Sequence, residues 1–435
     1  LTDLNWTYLE IFYLLLVFGV GFGTTYLVIP YLIKFMKKKG YVGHDIHKNE
    51  LPEVAESGGI SIVIGFTAAS ILAMIFFSIL SNEIFILLLT VIISGVIGFI
   101  DDRIKLRSRY KMFLTFLTGG IIFIANFFNY IHISPPTVPI IGKPRLTILY
   151  PLAVPIIVAV FANTTNMLEG YNGEGSGTVL IAAGFIFICG LLWNSAEGVI
   201  FSLLIIAVLI PFFLFNKYPA KIFPGDVGTL SMGAMMACLA LFSNLEVAVF
   251  CAMLIHIFNS FYVLSSVRGF FESSEIQEEK NDIILLEDNR IEANDQKDAA
   301  LTLPRLILAR GPLNEPELVK NFYAISLICG FFSIVSVIFM LLTVGAINIM
   351  VLILSIFIFI IPAGFLLYKF PRIRGIVILM IVLLAVGLIF LFFLDIYIIP
   401  IEGVLDFIFI MVPVNIFYTA LIAASGFLIW YYVTI

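Results

Sequence analysis

Long, almost uncharged apolar runs recur along nearly the whole chain, and they leave few folds open to it. A run of about 20 apolar residues crosses the hydrocarbon core as a helix. Only helices and closed barrels satisfy their backbone groups in that medium, and these runs are too long and continuous for barrel strands. They fall at 9–29, 58–80, 83–100, 112–132, 149–168, 176–195, 197–215, 226–243, 246–267, 321–345, 347–368, 373–396 and 406–433, thirteen in all. The expected fold is therefore all-α, a polytopic membrane helical bundle, and the composition agrees, with 61% hydrophobic and 12% charged residues. Lys37, Lys38 and Lys39 follow the first run instead of preceding it. That run lacks the basic leader of a cleaved signal peptide and is expected to stay in the mature protein.

Lys and Arg collect in cytoplasmic loops. With the N-terminus outside, the loops at 34–50, 101–111, 216–225, 268–320 and 369–374 lie inside and hold 22 of the 24 basic residues. Residues 272–298 hold ten acids against three basic residues and are expected to form a solvated cytoplasmic loop. The four cysteines lie within apolar spans, which implies small buried hydrophobes and no disulfide framework.

This orientation sorts the unusual polar stretches onto one face. "GHDIHKNELPEVAESGG" (43–59), "DDRIKLRSRYK" (101–111), "NTTNMLEGYNGEGSG" (163–177) and "YPAKIFPGDVGTLSMG" (218–233) all fall on the cytoplasmic side. Carboxylates at membrane depth are expensive and tend to be functional, although a helix end reduces the cost. Asp101 and Asp102, followed by Arg103, Lys105, Arg107, Arg109 and Lys111, suit a site for anionic phosphates and their metal; the bland reading pairs the two acids with the arginines behind them. Asp226 either offers a hard oxygen ligand or simply caps a helix. Asn166 either joins it or bonds between helices. The glycines of "EGYNGEGSG" let backbone approach a flat or phosphorylated ligand closely. His256 lies within a span, where packing is the commoner role. No GxxxxGK[ST] or HExxH occurs, so ATPase and zinc-protease readings lose their best support.

Together these stretches resemble the polyprenyl-phosphate N-acetylhexosamine-1-phosphate transferases, most closely the archaeal and eukaryotic dolichyl-phosphate GlcNAc-1-phosphotransferases. The likeness runs in order through "GHDIHK" with "ESGGIS", "GFIDDRIKLRSRYK", "NTTNMLEGYNGEGSG", "YPAKIFPGDVGTLSMG", "FNSFY" and "TLPRLILARGPLNEPEL". It implies a membrane core over 1–345, including the loop 268–320, with additional C-terminal spans over 346–435. It also implies transfer of GlcNAc-1-phosphate from UDP-GlcNAc to a polyprenyl (dolichyl) phosphate, with release of UMP and Mg2+ as cofactor, starting lipid-linked oligosaccharide synthesis for N-glycosylation.

By that resemblance Asn166 and Asp226 would hold Mg2+, Asp101 would deprotonate or orient the lipid phosphate, Asp102 would support the metal or its water, and Lys111 would bind phosphate. Gly170 and Phe223 would flank uracil, Asn172 would bond its edge, and Ile46 and Glu56 would lie near the uridine; for Phe223 plain packing is the alternative. The family's Arg/His-rich motif has no clear counterpart, and Arg268 is the candidate diphosphate clamp. Expected partners are these two substrates and the lipid bilayer, without nucleic acid, and self-association as a homodimer is left open. The resemblance places the protein in an archaeal plasma membrane or an endoplasmic reticulum membrane, with its site cytoplasmic. Another UDP-N-acetylhexosamine, or transport of a lipid or sugar with the acidic pair as coupling site, remain the alternatives.

Overall fold

A computed structural model describes residues 6–144, 149–267 and 281–397, with side chains to residue 387. The expected all-α membrane bundle is what the chain forms. The helices are α1 (Tyr8–Lys39), α2 (Gly59–Phe76), α3 (Ser81–Ile104), α4 (Ser108–Phe127), α5 (Leu149–Leu168), α6 (Glu174–Leu192), α7 (Ala196–Asn216), α8 (Gly225–Ser243), α9 (Glu246–Ala252), α10 (Leu254–Val267), α11 (Leu303–Leu308), α12 (Glu315–Thr343), α13 (Ile349–Lys369) and α14 (Arg374–Tyr397). Among the described residues ten helices are long and apolar enough to cross a membrane, or eleven when α9 and α10 count as one bent span. They match the first eleven expected spans. The twelfth falls on α14, and the thirteenth, 406–433, lies outside the described residues.

Local sequence sets the ends of the longest helices. At the start of α1 the Thr7 hydroxyl accepts from the backbone N–H of Glu10 at 3.3 Å, while Thr7 N–H donates to the Glu10 carboxylate at 2.7 Å. This reciprocal cap satisfies two backbone groups the helix leaves open. Gly40, at φ 73°, closes the other end, and Lys37, Lys38 and Lys39 sit in the last turn beside the negative end of the helix dipole. Asn314 and Glu317 cap α12 in the same way.

Burial is inverted relative to a water-soluble protein at the rim of the bundle. Phe357, Ile361 and Phe365 of α13 are between 61% and 70% exposed. Such a helix is at home in lipid. The centre belongs to α8, in which every residue from Val227 to Ser243 is buried. It packs against α3 and α5, and α2 and α7 also touch it. Glycines permit this closeness: a Cβ on Gly98 of α3 would lie 2.2 Å from the carbonyl oxygen of Asp226, and one on Gly59 of α2 would lie 2.1 Å from the nitrogen of Gly228. Gly98→Ala should therefore push α3 off the start of α8, at a cost of about 1–3 kcal/mol. A lower melting temperature in detergent together with a loss of catalytic turnover is the expected result.

Two regions show detail beyond the expected spans and loops. The run 246–267, expected as one span, bends by 67° between α9 and α10. No Pro or Gly marks the break. Within α10, Asn259 donates its amide to the carbonyl of Met167 at 3.0 Å and accepts at its oxygen from Leu303 N–H at 2.9 Å. The described part of the acidic segment, from residue 281, holds regular structure that its charge did not suggest. Strands β3 (Ile283–Leu285), β4 (Arg290–Ala293) and β5 (Leu313–Asn314) form an antiparallel sheet in the order β3-β4-β5. Ile283 and Ile291 point inward from that sheet and join Leu303 and Ile307 of α11 in one apolar cluster. That cluster gives this segment a core which a purely solvated loop would lack.

A further two-stranded ribbon, β1 (Val42–His44) with β2 (Glu53–Ala55), covers the same end of the bundle. Cys189, Cys238, Cys251 and Cys329 are buried free thiols. His256 is buried in α10 with its Nε2 3.1 Å from the Thr178 hydroxyl, a hydrogen-bonded packing residue.

Candidate active site

Three side chains from three different helices meet where α3, α4 and α8 converge. The Lys111 ammonium pairs with Asp101 and lies 2.9 Å from Asp226 Oδ2. Lys111 is 1% exposed and Asp101 3%. A buried ammonium needs opposite charge around it, and the two carboxylates supply it. The turn between the helices makes the meeting possible. Lys105 takes a left-handed conformation (φ 45°) at the end of α3, and Asp101 Oδ1 accepts from Leu106 N–H at 2.5 Å, so the chain doubles back and α4 returns residue 111 to residue 101.

Asn166, in the last turn of α5, donates its amide to Asp226 Oδ1 at 2.5 Å and to the Thr229 hydroxyl at 2.8 Å. The capping alternative for Asp226 does not hold, because Pro224 precedes the first turn of α8 and the Asp226 side chain points to Lys111 and Asn166. Asp102 fixes that first turn from outside. Its Oδ1 accepts from Asp226 N–H at 2.7 Å and its Oδ2 from the Ser57 hydroxyl at 2.7 Å. Gly225, at φ 62°, leaves room for this, since a Cβ there would lie 2.6 Å from Asp102 Oδ2.

Of the basic run, only Lys111 reaches this cluster through a buried side chain. Arg103 stacks on the Tyr41 ring, 3.5 Å from its centroid, and donates to Ser57 at 3.3 Å, while Lys105, Arg107 and Arg109 are exposed. In place of the bland pairing of both acids with the following arginines, Asp101 pairs with Lys111 and Asp102 accepts from Ser57 and the Asp226 N–H.

The remaining expected residues come together from three loops. Phe223 N–H donates to Ala55 O, and Gly58 N–H to Phe223 O, both at 2.8 Å, which ties the chain before α8 to the end of β2. Gly170 is held by the Glu174 carboxylate, which accepts from the N–H groups of Gly170 and Tyr171 at 3.1 Å. Asn172 is 3% exposed and donates to Asp45 and Glu315. Ile46 sits between two buried residues and is itself 44% exposed. Glu56 packs against Gly43, and its partial burial raises its carboxyl above the usual range, opposed by the Arg103 guanidinium. Arg268 lies outside the described residues.

Sequence reasoning did not single out Asp45, Ser57, Glu174, Thr229 or Glu315. Asp45 and Glu315 lie inside "GHDIHK" and "GPLNEPEL", stretches already notable for polarity, but nothing in either says that they touch. Asp45, His47 and Glu315 place ligand-type atoms within 4.8 Å of one another. Lys48 already pairs with Asp45 there, so this group carries its own cation. His47 stacks on Tyr171 with ring centroids 4.3 Å apart, and burial holds its pKa down to about 4, so it is neutral at pH 7.

Comparison with known proteins places the site in context. The glycosyl transferase family 4 profile matches residues 84–244, the stretch that carries Asp101, Lys111, Asn166 and Asp226. A Methanocaldococcus jannaschii protein provisionally named a glycosyltransferase is 31% identical over 73% of this chain and 97% of its own length. A Sulfolobus acidocaldarius protein, provisionally named a UDP-N-acetylglucosamine–dolichyl-phosphate N-acetylglucosaminephosphotransferase, is 34% identical over 53% of this chain and 71% of its own. The phospho-N-acetylmuramoyl-pentapeptide-transferase of Latilactobacillus sakei is 28% identical over 58% of this chain and 82% of its own.

Proposed function

We propose a reaction for this chain from the family to which it belongs, glycosyl transferase family 4, the polyprenyl-phosphate hexosamine-1-phosphate transferases. It is an integral, multi-pass membrane transferase that acts on a UDP-sugar and a polyprenyl phosphate. Our reading of the finer points is that the sugar is N-acetylglucosamine, the lipid a dolichyl phosphate, and the product the first intermediate of a lipid-linked oligosaccharide for N-glycosylation. The site faces the cytoplasm, of an archaeal cell on this reading. The observation that supports it most is Lys111 held between Asp101 and Asp226, with Asn166 beside them, where the bundle meets its polar loops.

In this reaction an oxygen of the lipid phosphate forms a bond to the β-phosphorus of the UDP-sugar, and the bond from that phosphorus to the oxygen bridging the two phosphates breaks, so UMP leaves. Such transfers demand positioning and charge neutralisation more than covalent help from the protein. The residues fit a divalent cation. Asp101, Asp102 and Asp226 bring three formal negative charges against the one positive charge of Lys111, and all offer hard oxygens. The Asp226 carboxylate and, after rotation, the Asn166 amide oxygen would hold Mg2+. When bound, the ion would neutralise the diphosphate and the departing UMP.

The chain's own groups do the rest. Asp101, steadied by Lys111 and Leu106 N–H, is the acceptor that orients or deprotonates the incoming lipid phosphate. Lys111 offers its charge to the phosphates. Asp102 has its two oxygens engaged by Asp226 N–H and Ser57, and its role is to hold Asp226 in place. Gly170, Phe223 and Asn172 bind the base, with Ile46 and Glu56 beside the uridine and Arg268 on the diphosphate.

Competition among UDP-sugars tests the specificity. Purified protein with Mg2+ and dolichyl phosphate should pass label from UDP-GlcNAc into a lipid-extractable product, with UDP-GalNAc and the UDP-MurNAc-pentapeptide as poor competitors and EDTA stopping the transfer. Preferred labelling from another UDP-sugar would keep the site and move the sugar. Transfer that persists in EDTA would remove the ion.

A further inference from the structure

The amide of Asn172 is held by two carboxylates. Its Nδ2 lies 2.9 Å from Asp45 Oδ2 and 3.3 Å from Glu315 Oε2, and its backbone N–H donates to Glu315 Oε1 at 2.8 Å. Ionised carboxylates carry no proton to give. Burial raises the Glu315 carboxyl to about 7, so above that pH it has no proton to give and the NH2 group faces the two carboxylates. Lys48 pairs with Asp45 as well. Both amide hydrogens of Asn172 are directed at carboxylates, and its Oδ1 has no partner among the described residues. The group left to meet a ligand is an acceptor.

Uracil offers one donor on its pairing edge, N3–H, between two carbonyl acceptors. Cytosine in the same pose offers a lone pair at N3, and its donor, the N4 amine, lies further along the edge. An acceptor fixed at this point therefore distinguishes the two bases. We propose that Asp45 and Glu315 are positioning residues that determine nucleotide specificity: by holding both hydrogens of Asn172 they make it present an acceptor to N3–H, which selects uridine over cytidine diphosphate-sugars. The proposal rests on the reading of Asn172 as the base-contacting group. It also gives a role to the segment around Glu315. β5 runs directly into α12, so the sheet outside the bundle sets the carboxylate that sets the amide. Asn49 reinforces that coupling, since its N–H donates to Asn289 Oδ1 at 2.8 Å and its amide to the carbonyls of Leu286 and Glu287 at 3.1 and 3.0 Å.

The test is a set of dissociation constants for UDP, CDP and N3-methyl-UDP with purified full-length protein. The wild type should bind UDP about tenfold more tightly than either of the others, the worth of one hydrogen bond lost with its partner left unpaired. In Glu315→Gln and Asp45→Asn an amide can now donate to Asn172 Oδ1, the Asn172 amide is free to turn, and the ratio of CDP to UDP dissociation constants should narrow about tenfold. A ratio that stays fixed while both nucleotides weaken alike would reduce these acids to structural supports and overturn the proposal. So would N3-methyl-UDP binding the wild type as well as UDP does, a result that depends on no variant folding. UDP binding that survives Asn172→Ala unchanged would overturn the base-contact reading itself, and the proposal with it.

Discussion

Asp226→Ala should lower UMP release about a thousandfold while leaving the protein folded. The side chain accepts from Asn166 and pairs with Lys111, and it is the carboxylate on which the proposed ion depends. Removing it forfeits several kcal/mol of charge stabilisation in the transition state, and each 1.36 kcal/mol is about tenfold in rate. The fold should survive because α8 is held along its whole length by buried apolar packing, and its first turn by Asp102 on the Asp226 backbone N–H, a bond that alanine keeps. Rates and melting temperature measured on the same preparation decide the matter. Near-normal turnover would remove Asp226 from the chemistry. A large drop in melting temperature would recast it as a structural residue.

Lys111→Met carries the second large effect, and here stability should move as well. The substitution leaves Asp101 and Asp226 facing each other without the ammonium between them. Breaking a buried pair in this way costs about 3–5 kcal/mol. Activity should fall at least a hundredfold, in line with the loss of one preorganised electrostatic contact. A divalent cation can take the place of the lost charge, so millimolar Mg2+ should restore part of the melting temperature of the variant and do far less for the wild type. If Mg2+ acts equally on both, the acids and the ion do not share this site.

The residues behind these predictions were unevenly visible in the sequence. Asp101, Asp226 and Asn166 could be picked out because each is a polar residue at the end of an apolar run, where burial makes polarity expensive. The helical bundle was visible for the same reason, since run length and bilayer thickness are matched. Lys111 was one basic residue among five, and its selection depends on the left-handed turn at Lys105, a tertiary detail with no separate sequence signal. The break after α9 has no Pro or Gly to announce it. The β3–β5 sheet was hidden by the charges around it, although Ile283 and Ile291 supplied the apolar face that it needs. Asp45 and Glu315 show the limit most clearly. They are 270 positions apart, and only the folded chain brings both to Asn172.

The central claim is that a sugar phosphate moves, and not a sugar alone. The most direct measurement is therefore the nucleotide released when purified protein, Mg2+, dolichyl phosphate and UDP-GlcNAc are mixed. The account predicts UMP, in amounts equal to the lipid product and absent when the lipid phosphate is withheld. Release of UDP would contradict it, because the bond broken would then lie between the sugar and the diphosphate and Asp101, Lys111, Asn166 and Asp226 would serve a different reaction.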